Sequence, residues 1–480
     1  MRSYQDLFRT PEFTPLFLAS AAQTVAQTVS GLALGTLVFR STGSPLLSAV
    51  SMFGPSLAQV LGATLFLSGA DRLPPRRTLA GVSLAFAAGA ALLAVPALPV
   101  WALFAVVVAQ GLVASLGGGV RWGLLNEILS HGGRDGYLLG RSVFNMMSGL
   151  MQITGFATGG LLLAALPPRA CLLLAAALYT TAAAAARLGL TRRPPRTTGR
   201  ASVSATWRTN ALLFSDRSRR LTYLGLWLPN GLVVGCESLY VPYAPAAAGT
   251  LFACGALGML AGDVTVGRLL PPAVRRHMAT PLLLLLAAPY LLFALHPPVW
   301  LAACLVTAAS AGFGASLVQQ EHLMALTPAG LSGHALGLHS AGMLTMQGVA
   351  AALAGTIAQL TTPAWSMTTM ATASAAVTLT LAAAARRISS APSEPEERGP
   401  GGGGDGDGGS PAGSGLGVAD VHGTGGNGDF ETGAALITAV TGLEPAQSSA
   451  HDSPRKRPNR LLVAYGLRAC VRSIAYLRSR

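Results

Sequence analysis

Lysine is almost missing: Lys456 is the only one in 480 residues. A P-loop needs a lysine after its second glycine to reach the nucleotide phosphates, so an ATPase site of that kind is excluded. Charge of either sign is scarce, at 11% of residues against about 25% in soluble domains. So few charges cannot cover a globule of this length, and lipid must cover much of it. Acids are scarcer still: before Ser390 there are nine, against 24 basic residues, all arginine. Aromatic residues make up only 6%, and alanine, leucine and glycine dominate. Small residues let helices approach closely in lipid. The five cysteines (Cys171, Cys236, Cys254, Cys304 and Cys470) form no C-x-x-C pair, and four lie in apolar runs as small packing residues. No H-E-x-x-H occurs, and a Pro-Gly loop divides Glu321 and His322 from His334 and His339, against the convergent ligands zinc requires. No metal and no cofactor is expected. With no nucleophile–base constellation, neither is an enzyme.

What is present is apolar sequence in blocks. Hydrophobic residues make up 51% and mean hydropathy is +0.50. Twelve stretches approach the roughly twenty residues that cross a bilayer core. They are Phe13–Phe39, Leu46–Gly69, Thr78–Ala94, Trp101–Leu124, Tyr137–Leu166 and Ala170–Ala186, then Leu221–Tyr243, Ala246–Leu269, Ala279–Leu295, Val299–Leu326, Ala335–Thr361 and Ala364–Ala385. The run from Phe13 is too long for a signal peptide and reads as a retained first span. Proline pairs such as Pro74-Pro75 and Pro271-Pro272 end helices between runs. A net charge of +14 would suggest nucleic acid in a soluble protein, but these arginines cluster between apolar runs, as in cytoplasmic loops. With the N-terminus inside, 22 of the 24 fall on the cytoplasmic side, Arg40 and Arg169 excepted. Both termini are then cytoplasmic, and the arginine and alanine bias suits a bacterial inner membrane.

One shift of 197 residues maps Leu73-Pro74-Pro75 onto Leu270-Pro271-Pro272, Gly117 onto Gly314, Leu139-Gly140 onto Leu336-Gly337 and Met146 onto Met343. The expected fold is therefore an all-α membrane protein of twelve transmembrane helices in two pseudo-symmetric six-helix bundles. Its parts are an N-terminal bundle at 1–186, an arginine-rich cytoplasmic linker at 187–220 and a C-terminal bundle at 221–387. A Gly- and acid-rich stretch at 388–454 reads as a disordered C-terminal tail, and a basic, amphipathic segment at 455–480 suits an anionic lipid surface.

Three motifs carry a family resemblance. Around Ser68-Gly69-Ala70-Asp71-Arg72-Leu73-Pro74-Pro75-Arg76-Arg77, the residues Asp71, Arg72 and Arg76 match the loop pattern G-x-L-a-D-R-x-G-R-R, with Leu67 and Pro74 at its glycine positions. Gly155-Phe156-Ala157-Thr158-Gly159-Gly160 is similar to the antiporter element G-P-x-x-G-G, with Phe156 at the proline position. Ala109-Gln110-Gly111 is similar to the end of R-x-x-Q-G, with Val107 where arginine stands. The sequence thus resembles the major facilitator superfamily and its bacterial drug-efflux antiporters. The resemblance implies that Asp71, with Arg72 and Arg76, forms a cytoplasmic gate against the first turn of the eleventh helix near Ser332-Gly333-His334. There the positive end of the helix dipole favours an anion. It also implies that Gly155, Gly159 and Gly160 serve close helix packing.

Charges inside apolar spans cost several kcal/mol at about mid-bilayer and usually face a cavity. Glu237 lies well inside its span, Asp263 near a cytoplasmic end, and Arg121 and Arg141 near the ends of theirs. Glu237 is the leading candidate for proton coupling or for a cationic substrate, against a purely structural role, and Asp263 and Arg121 follow. Gln23, Gln27, Gln59, Asn145, Gln152 and Gln347 are expected to line a cavity or bond between helices. The expected protein is a monomeric secondary transporter in a lipid bilayer that exports a small amphiphilic compound with protons as coupling ion. An importer or uniporter on the same fold, and a membrane scaffold or sensor acting through the tail, are the alternatives.

Overall fold

In lipid a backbone N–H or C=O without an internal partner is costly, so long apolar segments become helices. The computed structural model of the protein describes residues 4–65, 73–96, 98–129, 133–194, 203–328 and 331–389. Among these residues the only regular structure is helical. A short α1 (Tyr4–Arg9) precedes α2 (Phe13–Thr42), α3 (Pro45–Leu65), α4 (Pro75–Leu93), α5 (Val100–Leu129), α6 (Gly133–Ala165) and α7 (Pro168–Gly189). After α8 (Val203–Ser215) come α9 (Arg217–Glu237), α10 (Tyr240–Tyr243), α11 (Ala248–Val264), α12 (Pro272–Arg275) and α13 (Ala279–Ala287). The last are α14 (Val299–Ala311), α15 (Ala315–Ala325), α16 (Ser332–Leu360) and α17 (Pro363–Ser389). A π-helical turn, Thr265–Leu269, extends α11; tight 3-10 turns, Ala288–Leu295 and Gly312–Gly314, extend α13 and join α14 to α15.

Proline opens α3, α4, α7 and α17, at the position where its missing N–H costs nothing. Among the described residues nine helices are long and apolar enough to cross a membrane. Of the expected spans, Phe13–Phe39, Leu221–Tyr243 and Ala279–Leu295 are not among the nine. The first corresponds to α2, long enough but diluted by serine, threonine and glutamine. Its hydroxyls are satisfied internally: Thr24, Thr28 and Thr36 donate to carbonyls of Ser20, Thr24 and Leu32 one turn back. The second is broken after Glu237, and the third is short and half 3-10.

The packing pairs recur. In the first half α2 packs on α6 and α7, α4 on α5 and α7, and α3 on α5. In the second, α9 packs on α16 and α17, α13 and its 3-10 turn on α14 and α17, and α11 on α14. Two long helix pairs cross between the halves, α3 with α16 and α6 with α11, and the short α10 also touches α2 and α3. The expected linker is not featureless, because α8 lies within it and seats Phe214 on Tyr223 and Trp227 of α9, with ring centroids 5.9 and 5.7 Å apart. His334 at the start of α16 meets Asn210 of α8 at 3.1 Å.

The halves meet tightly at the end where α2 finishes. There Gly160 of α6 abuts Gly249 of α11, backbone against backbone, and Gly355 of α16 abuts Leu46 of α3. Ser44 Oγ donates to Gln359 Oε1 at 2.7 Å beside them. At the opposite end Gly333 and Gly337 of α16 face open space. Gly155 and Gly159 lie on α2: a Cβ on Gly155 would collide with Thr28, and one on Gly159 would touch Leu32 at 3.5 Å. Asp71 and Arg72 lie outside the described residues, as do residues 390–480, which hold the basic segment and all but the first two positions of the tail expected at 388–454; those two close α17, and Arg76 sits in the first turn of α4.

Candidate functional site

Helix α9 presents Leu226, Asn230, Val234 and Glu237 at helical spacing, so the four share a face. That face borders a cavity of about 370 Å³ between the halves, within the range of small-ligand sites. Pro229 lies inside α9, where it supplies no N–H to the ladder, and its carbonyl accepts the Ser374 hydroxyl at 3.1 Å. Asn230 is 1% exposed; its Nδ2 donates to the Leu226 carbonyl at 2.7 Å, and its Oδ1 is buried with no hydrogen-bond partner.

Glu237 is the last residue of α9, not the middle of one continuous span. The Ser238 hydroxyl turns back to the Gly235 carbonyl at 2.7 Å, a local bond that competes with the helix ladder. The chain then re-forms as α10, which puts Tyr240 on the cavity wall with its hydroxyl bonded to that of Tyr290. Glu237 lines the cavity, and no described residue hydrogen-bonds or ion-pairs with its carboxyl. Asp263, one residue from the end of α11, lines the same cavity and is exposed. Gln152 of α6 and Gln347 of α16 are there too, joined by Gln320, Ser316 and His339. The His339 Nδ1 is buried without a partner, and its carbonyl accepts the Trp227 indole N–H at 3.1 Å. The apolar wall includes Phe53, Phe156, Phe252 and Phe313; Phe156 and Phe252 stack across α6 and α11 with centroids 4.7 Å apart.

Four expected residues are therefore together at the cavity: Glu237, Asp263, Gln152 and Gln347. The others go elsewhere. Gln23 accepts the Ser83 hydroxyl at 2.9 Å, tying α2 to α4. Gln59 is half-buried on α3 away from the lining, and Gln27 and Asn145 are exposed. Arg121 holds its guanidinium over Trp122 at 5.0 Å, and Arg141 approaches the same ring at 5.6 Å. Gln110, from the motif in α5, donates to the Phe86 carbonyl at 3.3 Å. Four other acids bind at or near helix ends. Glu12 and Glu127 both pair with Arg193, at 3.0 and 3.1 Å, Asp216 caps α9 by accepting the Arg219 N–H at 2.8 Å, and Glu321 pairs with Arg275 at 3.0 Å.

Asn230, Tyr240, Ser316, Gln320 and His339 are polar lining groups that the sequence did not single out for a cavity. The signal available was the seven-residue step from Asn230 to Glu237, two helical turns on one face.

The sequence model of the Major Facilitator Superfamily matches residues 16–319. The chain belongs to the Major Facilitator Superfamily. It is a multi-pass integral membrane protein with the fold of a secondary transporter, and the family indicates transport and not enzymatic turnover. No curated protein sequence matches it. The fold is similar to that of a POT family transporter solved with a thioalcohol-conjugated peptide, at a TM-score of 0.64 and 11% identity over 78% of this chain and 96% of that one. It is similar to the peptide transporter POT solved with sulfate, at 0.62 and 16% over 81% and 99%. The nucleoside transporter NupG gives 0.63 and 13% over 77% and 98%.

Proposed function

We propose that this superfamily member is a proton-coupled exporter of a small amphiphilic compound. It acts as a monomer in a bacterial inner membrane with both termini cytoplasmic. The observation that carries the proposal is Glu237, a carboxyl in the cavity between the halves with no described partner. A carboxylate left bare at bilayer depth is costly, so a proton or a bound guest must neutralise it, and the two events become linked. The groups sharing its surroundings are Tyr240, Tyr290, Cys236, Asp263 and His339, none of them a fixed cation.

The recurring helix pairs support twelve spans in two six-helix bundles at 1–186 and 221–387, with α8 in a linker at 187–220. Gly155, Gly159 and Gly160 against α2 and α11 support the antiporter-like reading of α6. The closed end at Gly160 and Gly249 and the open end at Gly333 and Gly337 suit a cavity that faces the cytoplasm. The neighbours include a peptide transporter and a nucleoside transporter, which makes an importer on this fold the rival reading.

The test uses purified protein in vesicles carrying a pH gradient. Addition of a transported compound dissipates the gradient for an exchanger and deepens proton entry alongside substrate for a symporter. Glu237→Gln keeps the fold, abolishes proton-driven movement and leaves downhill exchange. Transport by Glu237→Gln with unchanged pH dependence rejects the coupling role.

A further inference from the structure

The cavity is lopsided in charge and in hydrogen bonding. Two carboxyls line it, Glu237 at the broken end of α9 and Asp263 near the end of α11, and no arginine or lysine does so among the described residues. A cavity built for a carboxylate or phosphate would need a fixed cation, for which arginine's fork is suited. Independently, Asn230 is nearly wholly buried, and its amide orientation is set by the bond from Nδ2 to the Leu226 carbonyl. This leaves Oδ1 as a buried acceptor with no donor, on a residue that lines the cavity. Such an atom is costly until a donor arrives. The wall also carries four phenylalanines, of which Phe156 and Phe252 stack about one helical turn from the Gly160–Gly249 contact. Aromatic faces attract cations as well as apolar bodies.

We propose that the cavity takes an amphiphilic organic ammonium ion. Its N–H is donated to Asn230 Oδ1, its charge is balanced by Glu237 and Asp263, and its apolar body lies against Phe53, Phe156 and Phe252. This rests on the transporter reading above and names its substrate class. It also sets this cavity apart from one that binds zwitterionic peptides, whose carboxylate end would meet no arginine or lysine here among the described residues. Asp263, exposed at the wall, attracts the cation; Asn230 and Glu237 hold it deeper in.

The experiment is equilibrium binding to the full chain in nanodiscs of neutral phosphatidylcholine, with empty discs as control. The probes are matched sets sharing one body: naphthylmethylamine, naphthylmethanol and naphthoate, then phenylbutylamine, phenylbutanol and phenylbutyrate. The amine should bind about tenfold or more tighter than the alcohol, and the carboxylate weakest, since a charged hydrogen bond and cation–π contact together exceed about 1.4 kcal/mol. Asp263→Asn should shrink the amine-to-alcohol preference several-fold while alcohol binding stays unchanged. Asn230→Ala should weaken the amines most, the alcohols less and the carboxylates not at all, because only the first two carry a donor for Oδ1, and Asp263→Asn, at an exposed position, supplies the readout if Asn230→Ala fails to fold. Alcohols or carboxylates binding as tightly as the amines, or no amine binding at millimolar concentration, overturns the assignment. If amines bind selectively but move no protons in the vesicle assay, the coupling role of Glu237 fails and the substrate class stands. If neutral or acidic compounds drive proton movement in preference to amines, the substrate class fails and the coupling stands.

Discussion

Glu12 holds a left-handed backbone, φ 70°, immediately before α2. A non-glycine residue there carries strain of about 1–3 kcal/mol and persists only where other contacts over-determine it. Its side chain supplies those contacts. The carboxylate, 9% exposed, accepts the Thr191 N–H at 3.2 Å, the Thr191 hydroxyl at 2.8 Å and the Arg193 guanidinium at 3.0 Å. Arg193 reaches Glu127 at the end of α5 as well. One arginine thus fastens the start of α2, the end of α5 and the chain beyond α7. Arg193→Met should destabilise the protein by about 1–3 kcal/mol, the worth of hydrogen bonds to a charged group, and lower the melting temperature in detergent. A melting curve equal to wild type would show the cluster to be ornamental. Nothing in the sequence around Glu12, just before α2, or Glu127, in the last turn of α5, announces a shared partner more than sixty residues away. That knowledge requires the fold.

At the scale of the element, helix existence was readable and helix rotation was not. The expected spans Trp101–Leu124 and Ala170–Ala186 sit within α5 and α7, because apolar length and proline punctuation are local signals. Which polar residue faces the cavity depends on how each helix turns against its neighbours. In a chain so uniformly apolar, the amphipathic stripe that reveals a buried face is nearly absent. Gln27 and Asn145 looked equivalent to Gln152 and Gln347, yet only the latter pair lines the cavity. The break at Glu237 hinges on one serine hydroxyl, too small a cue to outweigh a continuous apolar run. Two elements carry predictions. Gly249 meets the backbone of α6 at Gly160, so Gly249→Val cannot be accommodated by a rotamer change. Overpacking costs about 1–3 kcal/mol and should tilt the protein about five- to a hundredfold toward a conformation open at that end. Raised reactivity of a cysteine placed at Phe156 is the readout; unchanged reactivity refutes it. At the other end the loop before α4 bears the proposed gate. Asp71→Asn should slow transport far more than it lowers expression, and wild-type turnover in that variant would remove Asp71 from the mechanism.

For the molecule as a whole, two long helix pairs cross between the halves, and their backbone-to-backbone approaches, Gly160 to Gly249 and Gly355 to Leu46, fall at one end. A transporter must open that end at some point in its cycle, so the contacts there cannot be permanent. Ser44 and Gln359 mark the closure: they come from α2–α3 and α16, one in each half, and share a 2.7 Å hydrogen bond. The bond itself is worth about 1 kcal/mol at an exposed site, weak enough to break in every cycle. A covalent link in its place would not be. In a background with the native cysteines replaced, Ser44→Cys with Gln359→Cys should form a disulfide readily and abolish transport, and a reductant should restore it. Each single variant should transport normally, since one lost surface hydrogen bond is a small fraction of the closing energy. A cross-linked protein that still transports at the wild-type rate would mean that this end never opens. The halves would then move about some other seam, and the cavity beneath Phe156 and Phe252 would be reached from one side only.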